Sequence, residues 1–283
     1  MRLGKQAAVR AGWARGWALV WEDVSVPRMN VPSPGWTPLP QVVARRLQQM
    51  ILDGELDEGD MIPSQRQLSE QFNVSRASLR EALLMLETLG LVRTEPGRGS
   101  FVTARHPDQT TALKWRYADS HSMRDVFETR HMLEGEIARS AAASIDVVSL
   151  SLLHNATDEM ERFWDAGDLI ANVEADLLFH RTITQSCSNR MLQSVYETVQ
   201  GLLVETQRQP IPRTNPTRMN ASLAEHRRII AALSRRDGRA ARQEMQRHIA
   251  NTAACAGILL NDNTQVNRTY AGQALSDAMD ETI

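Results

Sequence analysis

Asp176 and His180 stand four residues apart in the segment EADLLFHRT, and two further histidines, His226 and His248, fall in later helical stretches. An i, i+4 spacing puts both side chains on one helix face, with about 5–6 Å between their Cβ atoms. Three imidazoles and one carboxylate from three helices suit Zn²⁺ or a similar first-row cation, leaving coordination positions open for a ligand. Taken alone, a D-x-x-x-H pair is a weak signal in a helical chain with seven histidines. A second group of chemistry-bearing residues lies upstream. Arg66, Arg76, Arg80 and Arg98 fall within residues 63–102, PSQRQLSEQFNVSRASLREALLMLETLGLVRTEPGRGSFV, where a DNA backbone and major groove would lie. Arginine bonds guanine O6 and N7 together, and serine serves a base or a phosphate.

The elements that must hold these arginines can be read from local signals. Val42, Val43, Leu47, Met50 and Ile51 repeat at helical spacing, with Gly54 as a stop. Ser64 and Gln67 form an S-x-x-Q capping box that starts a second helix, running through about Gln71. Asn73 suits the left-handed position that turns the chain. Ser75 then caps a third helix whose apolar face is Leu79, Ala82, Leu83, Leu86 and Leu89. LVRTE and SFVTA read as two strands joined through Pro96-Gly97-Arg98-Gly99. Three helices and a hairpin make a winged helix-turn-helix. Its second helix-turn-helix helix would enter the major groove with Ser75, Arg76, Ser78 and Arg80 foremost. Arg66 suits a phosphate near a helix N-terminus, Gly97 permits close backbone approach, and Arg98 reaches a groove or phosphate. The acidic residues of this part crowd into residues 53–60, away from the expected DNA face.

The fold class is thus mainly α, a winged helix-turn-helix followed by an all-α bundle. From Met123 to about Leu260 the pattern is helical, broken near residues 144–146, 167–168, 188–189, 210–216 and 237–238, which predicts about six helices. The division reads as an N-terminal arm over 1–37, a DNA-binding domain over 38–104 and a linker over 105–122. An all-α effector-binding and dimerisation domain over 123–260 and a flexible tail over 261–283 complete it. Met29 offers an alternative start to Met1.

With 283 residues, the chain can bury two cores. Its net charge of -2 excludes overall basicity as a source of DNA affinity, so a local positive face must supply it. Two cysteines outside any CxxC pattern exclude a disulfide framework and predict a cytoplasmic protein. No run approaches the roughly 20 apolar residues of a membrane span.

Residues 38–104 resemble the N-terminal domain of the GntR family of bacterial regulators. The likeness is carried by Gly59, Pro63-Ser64-x-Arg66-x-Leu68, Val74-Ser75-Arg76, Leu79-Arg80-Glu81-Ala82-Leu83, Leu86-Glu87, Gly90-Leu91-Val92 and Gly97-x-Gly99-Ser100-Phe101-Val102. Gln65 departs from the glutamate common there. The resemblance implies that Arg66, Ser75, Arg76, Ser78, Arg80 and Gly97 contact a short palindromic operator. The later region resembles the FCD domain of the FadR-like branch, through Val126-Phe127-Glu128-x-Arg130-x-x-Leu133-Glu134, Asp176-x-x-x-His180, Asn189, Glu225-His226 and His248. That likeness implies a divalent metal held by Asp176, His180, His226 and His248, Zn²⁺ foremost, with Ni²⁺ and Mn²⁺ compatible. It also implies a small carboxylate effector beside the metal, with Asn189 in the effector site. Arg130 can meet the effector carboxylate bidentately or form a buried ion pair with Glu134 at i, i+4. The expectation is a homodimeric DNA-binding regulator, a repressor relieved by an organic acid. A metal-dependent enzyme on the same four ligands, or a DNA-binding dimer without ligand sensing, are the rivals.

Overall fold

A computed structural model describes residues 39–103, 115, 117–211 and 214–260 of the chain. The expected N-terminal arm, the tail and most of the linker lie outside these residues. Helix α1 (Leu39–Leu52) buries Val43, Leu47 and Ile51 at four-residue intervals, the stripe its sequence period dictates. Helix α2 (Gln65–Phe72) begins at the reciprocal Ser64–Gln67 capping box and ends at Asn73, which takes the left-handed conformation at φ 51°. Helix α3 (Arg76–Thr88) follows at once, its N-terminus satisfied by Ser75, whose side chain accepts from Ser78 N–H.

Strands β1 (Val92–Glu95) and β2 (Gly99–Val102) pair antiparallel, with Val92 opposite Val102 and Glu95 opposite Gly99. The second strand therefore starts one residue earlier than the alternation suggested and ends before Thr103, whose N–H turns back to Leu91 O. Residues 59–62 add a third edge: Gly59 N–H donates to Val102 O and Ile62 N–H to Ser100 O.

The helical part comprises α4 (Met123–Ser144), α5 (Val147–Asp165), α6 (Leu169–Gln185), α7 (Arg190–Arg208), α8 (Pro216–Ser234) and α9 (Gly238–Cys255). The five breaks expected from the sequence separate the six helices found. Helices α4 and α9 pack along each other, α5 lies on α6 and α8, and α7 rests on α4 and α6. Their common core contains Phe127, Ile137, Leu153, Phe179, Ile229 and Ile249. The α4–α9 approach needs a glycine at one point: a Cβ on Gly238 would stand 2.8 Å from the backbone oxygen of Arg139.

The two parts share a dry interface. Leu169, Ile170, Val173 and Leu177 on α6 join the apolar cluster of the winged part. Gln48, 1% exposed on α1, completes the N-terminus of α6 from outside it. Its amide nitrogen donates to Asp168 Oδ1 at 2.6 Å, and its amide oxygen accepts from Ile170 N–H at 3.1 Å. Asp168 is itself the cap of α6, so one glutamine satisfies both the cap and an orphan amide of the next helix turn. Arg45 pairs with Glu174 nearby, and Thr88 at the end of α3 donates to Glu205 of α7 at 3.3 Å. Substituting Gln48→Ala should loosen this joint at a cost of about 1–3 kcal/mol, since a buried amide loses its acceptor. Hydrogen exchange should then rise at Ile170 and Ala171 ahead of the rest of α6; unchanged protection there would refute the assignment.

Candidate metal centre and nucleic-acid interface

The six-helix part gathers the four residues singled out by spacing. Asp176 and His180 come from α6, His226 from α8 and His248 from α9, and one ligand atom from each lies within 4.8 Å of all the others. Ring centroids of His226 and His248 are 4.5 Å apart, and those of His180 and His248 are 5.4 Å apart. All three histidines are buried, which the apolar residues flanking each on its own helix enforce.

Carboxylates on neighbouring helices orient two of the rings. Glu134 on α4 places Oε2 2.5 Å from His180 Nδ1, and Glu225 on α8 places Oε2 2.9 Å from His248 Nδ1. The Glu225 contact puts the proton of His248 on Nδ1 and turns the lone pair of its Nε2 toward the cluster, whereas Glu134 meets His180 as a close ion-pair contact without hydrogen-bond geometry. Asp176 is fixed in turn by Gln207 of α7, whose amide donates to Oδ2 at 2.8 Å. His226 has no such partner: both its ring nitrogens are buried and unbonded, with Nε2 3.4 Å from Asp176 Oδ1.

Burial, reinforced by the neighbouring His248 and His180, pushes His226 well below its ordinary value. Burial likewise lowers His248, with Glu225 opposing. Both are therefore neutral donors at neutral pH. Burial alone would raise Glu134 and Glu225, but Arg130 and His180 hold the first at about 2, and His248 with Arg218 holds the second at about 2. Three imidazoles, one carboxylate and an otherwise unsatisfied buried ring nitrogen form a donor set that a divalent transition ion fits.

Arg130 is fully buried. It donates from Nε to Glu134 Oε1 at 2.6 Å and from Nη1 to Thr206 at 3.2 Å, and Nη2 lies 3.4 Å from His180 Nε2. The i, i+4 ion pair is thus the alternative the structure adopts. Asn189 is not brought to the cluster. Its side chain caps α7 by accepting from Met191 and Leu192 N–H, and the adjacent Ser188 touches Ser140, ten residues along α4 from Arg130. At 1.5 Å per residue that is about 15 Å. The break at residues 188–189 carried the capping signal that marks this local role.

A small cleft opens beside the cluster, reached by Asp176 and His248 and walled also by Asn172, Thr214, Arg218 and Ser222. Arg218 forks onto Glu225 with both Nη atoms at 3.0 Å, and Asn251 donates to the same carboxylate at 2.8 Å. Neither Gln207 nor this Arg218–Glu225–His248 chain was visible in sequence spacing, because each joins helices through residues with no periodic signature. The Glu225-His226 pair was the one hint.

In the winged part, Arg76 and Arg80 project from the first turns of α3, exposed and free of any ion pair among the described residues. Arg66 is exposed but pairs with Glu70 at 3.0 Å. Arg98 pairs with Glu95, which also holds Arg93, and both guanidiniums lie near the Phe101 ring. Acidic residues therefore also stand among the expected DNA contacts, Glu70 beside Arg66 and Glu95 beside Arg98. The Ser75 and Ser78 hydroxyls sit 2.9 Å apart, the first committed to the helix cap. Gly97 has φ 73° with open space where a Cβ would sit, so backbone conformation alone selects glycine there.

A winged helix-turn-helix joined to a six-helix domain with an internal ligand cluster defines a DNA-binding transcription regulator. Residues 39–102 match the bacterial regulatory proteins of the gntR family, and residues 125–251 match the FCD domain. The chain belongs to the GntR family, in its FadR-like branch with an FCD domain. It is 30% identical to the HTH-type transcriptional regulator LutR of Bacillus subtilis over 76% of this chain and 100% of that protein. It is 29% identical to the Glc operon transcriptional activator of Escherichia coli over 59% of this chain and 67% of the relative. It is 27% identical to the transcriptional repressor NanR of Citrobacter rodentium over 76% and 84%. These kinships overturn the enzyme reading: the family regulates transcription.

Free arginines at the tip of α3 should dominate DNA affinity. Arg76→Ala and Arg80→Ala should each weaken operator binding by about 1–3 kcal/mol if they read bases, and relax selectivity at one position each. Arg66→Ala and Arg98→Ala should cost less, because each arginine must first leave a carboxylate. Electrophoretic mobility shifts on a palindrome selected from random DNA would rank the four, and an equal ranking would sink this distinction.

Proposed function

We propose that the protein is a homodimeric repressor whose operator affinity is set by a small carboxylate bound at a divalent metal, Zn²⁺ foremost, in the helical domain. The observation that carries this reading is the cleft beside the four-ligand cluster, which Asp176 and His248 share with it. Asp176, His180, His226 and His248 would hold the ion, and a bound ion would supply a Lewis-acidic seat for a carboxylate oxygen. Dimerisation has a candidate surface in α4 and α7, which pack together and leave Met132 63% and Met191 70% exposed.

A route from cleft to DNA supports regulation. Three successive residues at the end of α7 reach three partners. Glu205 accepts from Thr88 at the end of the recognition helix, Thr206 accepts from Arg130, and Gln207 donates to Asp176. Helix α6 carries Asp176 and His180 on one stretch and the interface residues Ile170 and Val173 on the preceding one. A ligand that shifts Asp176 therefore acts on the helix that seats the winged part. Coupling of about 1–3 kcal/mol would change operator affinity by roughly 5–150-fold.

The test combines metal analysis with operator binding. Purified protein should carry near one equivalent of a transition metal per chain. A screen of short acids should find one that weakens binding to the selected palindrome, with the effect abolished by EDTA and restored by Zn²⁺. Tight DNA binding that no acid alters with metal present would leave a regulator without this sensor.

A further inference from the structure

The cleft contains a cation that supports the metal cluster only through Glu225. Arg218 is the only lysine or arginine among the described residues that line it. Its two Nη atoms each give one N–H to Glu225, and the guanidinium makes no further hydrogen bond among the described residues. A guanidinium has five N–H donors, so the Nε–H and one N–H on each Nη remain. Around it stand uncharged groups. The Ser222 hydroxyl makes no hydrogen bond among the described residues, Thr214 gives its hydroxyl proton to Pro210 O, and Asn172 uses its amide nitrogen on Met160 O, keeping its oxygen as an acceptor.

Charge in the cleft is nearly balanced before any acid enters. Arg130 is neutralised by Glu134 and Arg218 by Glu225. Imidazole ligands bind metal as neutral groups. A divalent ion facing Asp176 alone thus leaves one positive charge, which a single carboxylate cancels. A second carboxylate at Arg218 would stand uncompensated in a half-enclosed site, which is costly.

From this balance we infer that Arg218 is a specificity-determining residue that grips the uncharged, hydroxylated end of the effector, which is therefore a monoanionic polyhydroxy acid and not a dicarboxylate. The inference rests on the metal-held acid proposed above. It adds that hydroxyls remote from the carboxylate receive N–H from Arg218 and donate to Asn172 and Ser222.

Three five-carbon probes separate the terms: xylonate carries one charge with hydroxyls, xylarate two charges with hydroxyls, and pentanoate one charge without them. Calorimetric titration into zinc-loaded protein should show xylonate binding at least about 10-fold tighter than either other acid, the worth of one lost charge-assisted hydrogen bond. Arg218→Gln, compared with wild type at saturating zinc because Arg218 also holds the Glu225 carboxylate on His248, should lower xylonate affinity about 10-fold or more. Ser222→Ala, which leaves the Arg218–Glu225 pair intact, should lower it severalfold and guards against a folding defect in the first variant. Equal binding of xylarate or pentanoate, or full xylonate affinity in both variants, overturns the role of Arg218 while leaving a metal-held acid intact. Failure of all three acids to bind zinc-loaded protein, or binding that survives EDTA, overturns the metal-held acid itself.

Discussion

Arg130→Met should unfold the metal-free protein at a temperature lower by on the order of 10 °C, a loss of about 3–5 kcal/mol. The guanidinium is 0% exposed, and its removal strands the Glu134 carboxylate in the core with only His180 for company. Breaking one side of a buried ion pair is costly because the surviving charge keeps its desolvation penalty and loses its compensation. The double substitution Arg130→Met/Glu134→Leu should recover most of that loss, since both charges then leave together. It should not recover metal affinity, because His180 loses the carboxylate that orients its ring, an effect worth about 10–100-fold. Thermal unfolding of the three forms after EDTA treatment checks the first statement, and zinc titration checks the second. If Arg130 instead served mainly to hold an effector carboxylate, the single variant would melt like the wild type and fail only in acid binding.

Sequence separation between partners decides which parts of the molecule are legible in the sequence. The turn of the DNA-binding part was legible because its signals are local. Ser64, Asn73 and Ser75 act within four residues of themselves, and each occupies the cap or left-handed position its chemistry favours. The four metal candidates were legible for a different reason: the Asp176–His180 spacing is a weak signal alone, and the likeness to the FCD domain adds His226 and His248 in order. Gln48 had neither advantage. It lies in the apolar stripe of α1 as a polar exception, and its partners Asp168 and Ile170 are more than a hundred residues away. Asn189 is the opposite case: the family likeness implies an effector contact, while the local grammar of a helix start accounts for the bonds its side chain makes. Glu225 was noticed only as the neighbour of His226, yet it binds Arg218, His248 and Asn251 together and so links cleft and cluster.

His226→Leu separates a metal site from a merely buried histidine cluster, and its expected result is asymmetric. Without metal, the variant should be as stable as the wild type or more so. The wild-type ring places two nitrogens in the core with no hydrogen-bond partner, and it rests on Phe179 with centroids 4.3 Å apart, a contact leucine can replace. Leaving buried polar atoms unsatisfied costs about 1–3 kcal/mol, and an apolar side chain of similar volume removes that cost. With zinc the order should reverse. A ligand that binds only the folded state raises stability by about 4 kcal/mol at a thousandfold excess over its dissociation constant. The wild type should gain on that scale, while the variant, reduced to Asp176, His180 and His248, gains far less. Differential scanning calorimetry of both proteins, each with EDTA and with zinc, gives four melting temperatures. Crossing of the two proteins between conditions is the signature of a ligand. Parallel shifts, or a variant that is less stable in EDTA, would mean that His226 is held by packing and that the cluster has no metal to bind.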